Sequence, residues 1–358
     1  MIAPTRYLLW ARRYFGKVPF DLATSGMPRP SAEELGVPAS LDDLTGTERL
    51  RSAIATFNDV STSEAIAALG TTQALWLAYA SLLEPGDDLL VEEPAYEPLW
   101  RIAEGCGARV VRFERPVSSR FALDPARVEK ALTVRTRVVA ITNLHNPGGV
   151  RAPDEVIRDV ARVCEKRGAY LLVDEVYAPF DALNEPGGVW RGSARKLAPN
   201  ILTTSSLTKC YGLGDDRVGW LLGPPDVILR AAAALDSCCG HLPLSHANLG
   251  VHAFGRIDRL ADRARRLTAG KREVVAAWAL SRPELTWSAP DSGLFGFATT
   301  SRAGDLTTVL EAGAREHGVL AAAGSFFGVP NGFRLAWSIP RERLEEALVR
   351  LGKVLPSA

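Results

Sequence analysis

Between about residue 70 and residue 223, two patterns of hydrophobic and polar positions alternate along the chain. Short aliphatic runs follow turns that contain Gly, Pro or Asn, and stretches with helical spacing fill the intervals. This alternation is typical of α/β proteins with a mostly parallel sheet. The pattern predicts strands at residues 89–92, 109–113, 137–142, 171–174, 201–205 and 218–222.

The clearest helices are predicted at residues 72–83 and 153–167. The second opens with acidic residues and ends before Gly168, as the helix dipole and the usual C-terminal glycine favour. After about residue 229, an Ala- and Arg-rich helical stretch leads to the strand-like segments FGFA and FRLAWSI. We therefore expect an α/β fold whose large domain, residues 41–245, holds a doubly wound sheet. A smaller α+β domain would comprise residues 1–40 and 246–358.

Composition and charge exclude several classes of partner. The 358 residues include 42 Lys and Arg against 41 Asp and Glu, and this balance gives no field that attracts nucleic acid or an anionic membrane. The first 20 residues lack the apolar run of a signal peptide or membrane span. Their aromatic side chains predict a helix that docks on its own chain or on a partner subunit. We expect a small-molecule ligand, no nucleic acid and no membrane.

The cysteines and histidines indicate neither disulfides nor a metal site. The five cysteines are an odd set without a C-x-x-C motif, and the five histidines lack H-E-x-x-H spacing. We expect a cytoplasmic protein without a bound metal. The adjacent Cys238 and Cys239 could form a redox pair, but we interpret them as small buried apolar residues.

Polar residues able to carry chemistry come at the ends of three predicted strands. Asn146, Asp174 and the pair Ser206 and Lys209 each follow or end a different strand. In parallel α/β sheets, ligands bind beyond the carboxyl ends of the strands. An amide, a carboxylate, a hydroxyl and an amine should therefore meet at one place.

The segments around these residues are N-L-H-N-P-G-G, V-D-E-V-Y and S-S-L-T-K-C-Y-G-L-G-D-D-R-V-G-W. Together with G-T-T-Q-A-L, E-P-G-D-D-L-L-V-E-E-P-A-Y and F-R-L-A-W-S, they resemble the ordered signatures of class I and II aminotransferases. The resemblance covers roughly residues 20–345, and the N-terminal Y-F-G-K-V-P-F-D-L-A-T-S-G is similar to the capreomycidine synthase subgroup.

This resemblance implies the fold type I of pyridoxal 5'-phosphate (PLP)-dependent transferases. It also implies transfer of an amino group between an amino acid and a 2-oxo acid, with PLP as cofactor and a homodimer as the usual assembly.

Lys209 matches the lysine that forms a Schiff base with PLP and then moves the substrate α-proton. A partly desolvated cleft suits both tasks because it lowers the pKa of the amine; a solvated surface lysine is the alternative. Asp174 matches the buried acid that keeps the pyridine nitrogen protonated, and it could instead cap a helix. Tyr177 and Asn146 match the groups that hydrogen-bond the cofactor's ring oxygen, although Tyr177 could also serve packing alone.

The resemblance assigns a second set of residues to the cofactor phosphate. Gly70, Thr71 and Thr72 lie at a predicted helix N-terminus, where free N–H groups and the helix dipole favour an anion. Ser206 and Arg217 match the family's hydroxyl and guanidinium ligands. The two threonines could also be ordinary N-cap residues.

Three further residues are implied around the ring and the substrate. Tyr96 matches the aromatic side chain that stacks on the pyridine ring, with core packing as the alternative. Arg334 lies among apolar neighbours, where an unpaired guanidinium is costly. The resemblance makes the substrate α-carboxylate its partner, beside Asn146, whereas a structural ion pair is the alternative. Gly26 matches a glycine whose backbone lines the substrate pocket, or it lies in an ordinary turn.

The chain departs from the family pattern at two positions. Leu41 stands about where a tyrosine usually reaches the partner subunit's phosphate, and Gly148 replaces the threonine of N-P-T-G. No second arginine is recognisable as a residue that binds the side-chain carboxylate of a substrate, which argues against Asp and Glu as dedicated substrates.

Other chemistry would use the same residues. β-Elimination, cyclisation and decarboxylation need the same cofactor contacts. A non-catalytic PLP-binding regulator is a further alternative, but such regulators resemble this chain only beyond an additional DNA-binding domain, for which about 20 preceding residues are too few.

Overall fold

The computed structural model describes residues 6–15, 17–28, 30, 34, 36, 45–183, 188, 190, 192–301 and 304–355. Leu41 lies outside these residues. The strands are β1 (Phe20–Asp21), β2 (Ala65–Leu69), β3 (Asp88–Glu93), β4 (Arg109–Glu114), β5 (Thr136–Thr142), β6 (Tyr170–Asp174), β7 (Ile201–Ser206), β8 (Val218–Leu222), β9 (Leu285–Ser288), β10 (Phe295–Thr300), β11 (Val319–Leu320), β12 (Ala322–Ala323) and β13 (Gly332–Ala336).

The helices alternate with these strands in the first part of the chain and follow one another in the second. They are α1 (Arg6–Tyr14), α2 (Gly46–Asn58), α3 (Gly70–Leu82), α4 (Pro98–Gly105), α5 (Pro125–Ala131), α6 (Asp154–Glu165), α7 (Pro179–Ala182), α8 (Pro225–Cys239), α9 (Leu244–Phe254), α10 (Ile257–Thr268), α11 (Lys271–Leu280), α12 (Thr307–Ala312) and α13 (Arg341–Val354).

The main sheet has the strand order β2-β8-β7-β6-β5-β3-β4. Neighbouring strands from β7 to β4 are parallel, and β8 runs antiparallel to both β2 and β7. The predicted α/β class and mostly parallel sheet are confirmed, and each predicted strand lies within an observed one. The sequence pattern missed β2, because its segment AIAAL is rich in alanine, which favours helices over strands.

Apolar residues cover both faces of this sheet. In β5, Val138 and Ala140 join one core cluster, whereas Val139 and Ile141 join a second cluster on the opposite face. Burial on both sides explains the continuous apolar runs of the central strands. It also leaves their carboxyl ends as the natural place for polar groups.

The C-terminal part forms a four-stranded antiparallel sheet in the order β12-β13-β10-β9. The N-terminal β1 pairs in parallel with β11, so the start of the chain joins the C-terminal region. This pairing agrees with the composition predicted for the small domain, whose boundaries stay a prediction. Helix α1 docks on its own chain, where Trp10 packs against Phe326.

Some expectations about cysteines are corrected by the structure. Cys238 and Cys239 are exposed, so their interpretation as buried apolar residues is wrong; they lie at the end of α8, whose buried residues come from its earlier turns. Within the described ranges, no helix is long and apolar enough to cross a membrane. The described His, Cys, Asp and Glu residues form no cluster that could hold a metal ion.

Candidate active site

A cavity of about 360 Å³ lies beyond the carboxyl ends of β5, β6 and β7, where the sequence predicted the site. Eight of the predicted site residues line it: Thr71, Thr72, Tyr96, Asn146, Asp174, Tyr177, Lys209 and Arg217. The other four lie next to it or behind its wall: Gly26, Gly70, Ser206 and Arg334. The structure therefore brings all the predicted site residues to one region.

Lys209 follows β7 and points its side chain into this cavity. Burial lowers the pKa of its amine, and the charges of Arg334 and Arg217 lower the pKa further against opposing effects of Tyr7 and Asp174. The interpretation as a solvated surface lysine is therefore wrong. A lowered pKa increases the deprotonated fraction, which is the nucleophilic form of an amine.

Asp174 is a buried carboxylate at the end of β6, with 3% of its surface exposed. Val176 N donates a hydrogen bond to its Oδ1 at 3.1 Å, but no described Lys or Arg lies within ion-pair distance. Burial raises the pKa of Asp174 to about 7, and the nearby Lys209 charge opposes this shift. A buried carboxylate in this state favours a cationic N–H partner.

The segment before residue 28 holds both Tyr177 and Lys209 in place. Tyr177 Oη donates to Ser25 Oγ at 2.7 Å, and its ring packs edge-on against Phe295 with centroids 4.7 Å apart. Burial raises the pKa of Tyr177. Met27 N donates to the carbonyl oxygen of Lys209 at 3.0 Å.

Gly26 lies beside the cavity, against Lys209. A Cβ there would meet Thr208 O at 3.7 Å and Lys209 Cδ at 3.9 Å, which are ordinary contacts. These neighbours alone do not require glycine at this position.

The start of α3 packs directly against a guanidinium. Gly70 has φ +74°, and a Cβ there would lie 2.3 Å from Arg217 Nη2. Arg217 itself has φ +57° and donates from Nη1 to Gly214 O at 2.9 Å. Only a residue without a side chain leaves Arg217 this close to the helix N-terminus.

Three hydroxyl groups stand at the same place. Thr71 Oγ1 donates to Ser206 Oγ at 3.0 Å, and Ser206 Oγ bonds Thr208 Oγ1 at 2.7 Å. The N-cap interpretation of Thr71 and Thr72 is wrong, because Leu69 is the N-cap and both threonines lie within the first turn. Hydroxyls, a helix N-terminus and a guanidinium are the groups that bind phosphate. The sequence reasoning missed Thr208, although its position just before the lysine in S-S-L-T-K was a usable signal.

Arg334 is completely buried in β13, one of the two inner strands of the C-terminal sheet. Its Nη1 donates to Asn146 Oδ1 at 2.8 Å, and Nη2 donates to Tyr7 Oη at 3.2 Å and to Ala23 O at 3.1 Å. Its Nε has no hydrogen-bond partner. The ion-pair alternative is wrong for the part of the chain that is described, since no carboxylate there pairs with this guanidinium. A buried cation of this kind favours an anionic ligand.

A buried network behind the cavity wall anchors the backbone of Asn146. Asn146 N donates to Thr142 Oγ1 at 2.9 Å, and Thr142 Oγ1 donates to Glu92 Oε1 at 2.6 Å. Glu92 also forms a completely buried ion pair with Arg115. Because every link is buried, this network restricts the loop that carries Asn146.

Tyr7 of α1 is the second residue that the sequence reasoning missed. It lines the cavity, contacts Tyr96 edge-on with centroids 5.6 Å apart, and accepts the hydrogen bond from Arg334. Its backbone N donates to the buried carboxylate of Glu97 at 2.9 Å. The sequence predicted an aromatic helix here but gave no signal for these distant contacts.

The described residues fit PLP on three independent features. Asp174 offers a buried carboxylate without an ion-pair partner to the ring nitrogen, and Lys209 offers an amine of lowered pKa to the aldehyde. The hydroxyl cluster beside Gly70 and Arg217 suits the phosphate.

Comparisons with known proteins agree with this geometry. The family model described as aminotransferase class I and II matches residues 32–351. The chain is 27% identical to capreomycidine synthase of Streptomyces vinaceus, over 97% of this chain and 92% of that protein. It is 28% identical to an arginine–pyruvate transaminase of Pseudomonas aeruginosa, over 86% of this chain and 80% of that protein. The crystal structure of a PLP-dependent aminotransferase from Streptococcus suis shares the fold, with a TM-score of 0.88, 20% identity and coverage of 99% and 97% of the two chains.

Proposed function

The chain belongs to the aminotransferase class I and II family, which makes it a PLP-dependent aminotransferase, and on that premise we propose that Lys209 is its cofactor-binding lysine and general base. The observation that carries this proposal is that one cavity is lined both by Lys209, whose pKa is lowered by burial, and by the buried Asp174, with which no described Lys or Arg forms an ion pair. When bound, PLP supplies an electron sink for the electrons of a broken bond at the substrate Cα.

Asp174 holds a proton on the cofactor's ring nitrogen. Its burial disfavours the charged carboxylate, and a cationic N–H placed against it removes this penalty. Tyr177 and Asn146 would hold the ring oxygen, and Tyr96, which lines the same cavity, would stack on the ring. The hydrogen bond from Tyr177 to Ser25 keeps its hydroxyl in the cavity wall.

Lys209 performs two tasks with the same Nζ atom. Its lowered pKa would favour the uncharged amine that can hold the cofactor at its aldehyde carbon, and the same Nζ, when it is free, would take and return the proton at the substrate Cα. The anchoring of its backbone through Met27 N favours one position of the side chain during both tasks.

The cofactor phosphate is bound by the backbone N–H groups at the start of α3 and by four side chains, those of Thr71, Ser206, Thr208 and Arg217. The mutual hydrogen bonds of the three hydroxyls support this role, because they bring the oxygens together before a ligand is bound. Gly70 keeps Arg217 close to the helix N-terminus.

Arg334 and Asn146 bind the substrate α-carboxylate, and the backbone at Gly26 borders the substrate. The amino donor has a side chain without a carboxylate. The cavity wall supports this restriction on the substrate. Its cationic side chains among the described residues are Lys209 and Arg217, and both already have a role in holding the cofactor. Ala11, Phe15 and Leu75 add apolar surface.

The protein acts as a homodimer in the cytoplasm. An exposed Leu229, 73% accessible, lies in an apolar groove between α8 and β2, which supports contact with a second subunit. Five free cysteines support a reducing compartment. Light scattering of the purified holoenzyme tests the dimer.

Two measurements on the PLP-loaded protein test the proposed function. Borohydride reduction followed by peptide mass spectrometry should label the peptide that contains Lys209 and leave the exposed Lys196 unlabelled. Incubation with a panel of amino acids should yield pyridoxamine phosphate and the matching 2-oxo acid in equal amounts. Formation of ammonia, carbon dioxide or a cyclised product with PLP retained would refute transamination, and loss of the label would refute the role of Lys209.

A further inference from the structure

The guanidinium of Arg334 is closed off from the cavity. It is 0% exposed, and its recorded acceptors are the neutral oxygens of Asn146, Tyr7 and Ala23. A substrate carboxylate therefore cannot reach this cation until one of the three acceptors moves.

Two of these acceptors are held firmly. Ala23 O belongs to the main chain just after Leu22, which is hydrogen-bonded through its N to Leu320 O at 2.8 Å and through its O to Ala336 N at 2.8 Å. Asn146 is anchored through its backbone N to Thr142, and its Oδ1 accepts from Arg334 Nη1 in the shortest of the three bonds, at 2.8 Å. Ala23 O cannot leave without breaking backbone hydrogen bonds, and Asn146 Oδ1 need not leave, because a ligand on the edge formed by Nη2 and Nε does not take its place.

Tyr7 is the acceptor that can leave. Its side chain lines the cavity, and its bond to Arg334 Nη2 is the longest of the three at 3.2 Å. Its backbone stays anchored to Glu97, so the hydroxyl can move by rotation of the side chain while α1 remains docked. The ring contacts Tyr96 and Phe326 edge-on, and aromatic pairs are favourable in both edge-to-face and offset geometries.

A carboxylate is the better ligand for the vacated position. A charge-assisted bond is stronger than a bond to a neutral phenol, and the planar guanidinium favours two parallel bonds. Nη2 and the unpartnered Nε lie along one edge of the guanidinium, so one carboxylate can satisfy both.

We propose that the hydroxyl of Tyr7 occupies the place of the substrate α-carboxylate on Arg334 in the ligand-free enzyme and is displaced when the substrate binds. This inference rests on the proposed function, because it takes Arg334 as the carboxylate-binding residue. Tyr7 is then a residue that competes with every carboxylate ligand and sets how tightly the enzyme holds its substrate.

The Tyr7→Phe holoenzyme tests this competition. Titration calorimetry with 3-phenylpropanoate, a carboxylate that has no amino group to react, should give a dissociation constant roughly three- to tenfold lower than that of the wild type. The neutral 3-phenylpropanamide should show no such gain. The matched variant Trp10→Phe changes a neighbour of Tyr7 that does not bond Arg334, and it should bind the carboxylate like the wild type. Weaker or unchanged binding to Tyr7→Phe would overturn the proposal.

A thermal measurement supplies a second readout. The ligand-free Tyr7→Phe variant should unfold at a lower temperature than the wild type, because Arg334 Nη2 loses an acceptor, and saturating 3-phenylpropanoate should stabilise the variant more than the wild type. An equal stabilisation of both proteins would contradict the displacement. Titration of Arg334→Met with 3-phenylpropanoate separates this outcome from failure of the proposed function, since binding that does not depend on Arg334 would refute its role as the carboxylate-binding residue.

Discussion

Asp174 and Lys209 line the same cavity, and each shifts the other's pKa toward the charged form: Lys209 lowers the pKa of Asp174, and Asp174 raises that of Lys209. Burial outweighs this attraction at both groups, so the carboxyl keeps a raised pKa and the amine a lowered one. Such opposed shifts in one cleft mark groups that exchange or hold protons.

Replacement of Asp174 by Asn should slow the reaction strongly. The amide keeps the shape of the side chain but cannot hold a proton on the ring nitrogen, and a loss of roughly 10²- to 10³-fold in kcat is expected for removal of one such electrostatic contact. Rates are compared at saturating PLP. Asp181→Asn is the matched control, because Asp181 is a partly buried acid with a raised pKa that does not line the cavity. A similar loss in both variants would argue against a specific role for Asp174.

The ligand-free enzyme should become less stable as the pH rises from 5 to 7. The pKa of Asp174 is raised to about 7 in the folded protein from an ordinary value of 3.8, so the folded state binds an extra proton in this window and loses that advantage as the pH increases. The contribution is about 2 kcal/mol of unfolding free energy over this range. Urea unfolding at several pH values should show a flatter dependence for Asp174→Asn. Glu175 titrates in the same direction, with a pKa of about 7, so Glu175→Gln should flatten the curve too.

Saturating PLP should separate the contributions of Asp174 and Glu175 to the pH dependence of stability. A cationic ring nitrogen against Asp174 should remove its share of the pH dependence in the wild type. The share of Glu175 should remain, because its carboxylate instead accepts hydrogen bonds from Ser193 and Ala194 N. An unchanged curve on addition of PLP would contradict the contact with Asp174.

Gly70→Ala should weaken PLP binding at least about tenfold, since the new Cβ would lie 2.3 Å from Arg217 Nη2 and push the guanidinium away from the phosphate position. Gly86→Ala is the matched control: it has a comparable positive φ of +94° but nothing within 4 Å of the new atom. Both variants should lose about 1 kcal/mol or more of stability through backbone strain. Equilibrium titration of PLP by absorbance should show a loss of affinity in Gly70→Ala and wild-type affinity in Gly86→Ala.

Much of this site could be predicted because its residues lie within recognisable local motifs. Asp174 ends the apolar strand β6, Lys209 follows β7 after two intervening residues, and both occur in long motifs whose order is specific. Tyr7 could not be predicted in the same way. Its contact with Arg334 joins residues 327 positions apart, and an aromatic helix gives no sign of which side chain faces a distant guanidinium. Strand β2 was not predicted for a different reason: its packing against β8 and α3 overrides the helical preference of its alanines.

Arg334→Met should separate substrate binding from stability. The guanidinium is fully buried, pairs with no carboxylate in the described part of the chain and has an unpartnered Nε. Burial of its charge therefore lowers the free energy of unfolding of the ligand-free protein. Methionine has a similar length and packs well against Phe295 and Phe327, which contact the guanidinium now. The ligand-free variant should therefore unfold at the same temperature as the wild type or a higher one.

The affinity of Arg334→Met for 3-phenylpropanoate should fall roughly 30-fold or more, as expected when one partner of a buried charged contact is removed. Leu335→Met, a change at the next position of β13, is the control for packing and should leave carboxylate binding unchanged. A large loss of thermal stability in Arg334→Met would show that the arginine serves the fold rather than the ligand, because the cost of burying a cation without an anion should offset the three hydrogen bonds that it donates in the ligand-free protein.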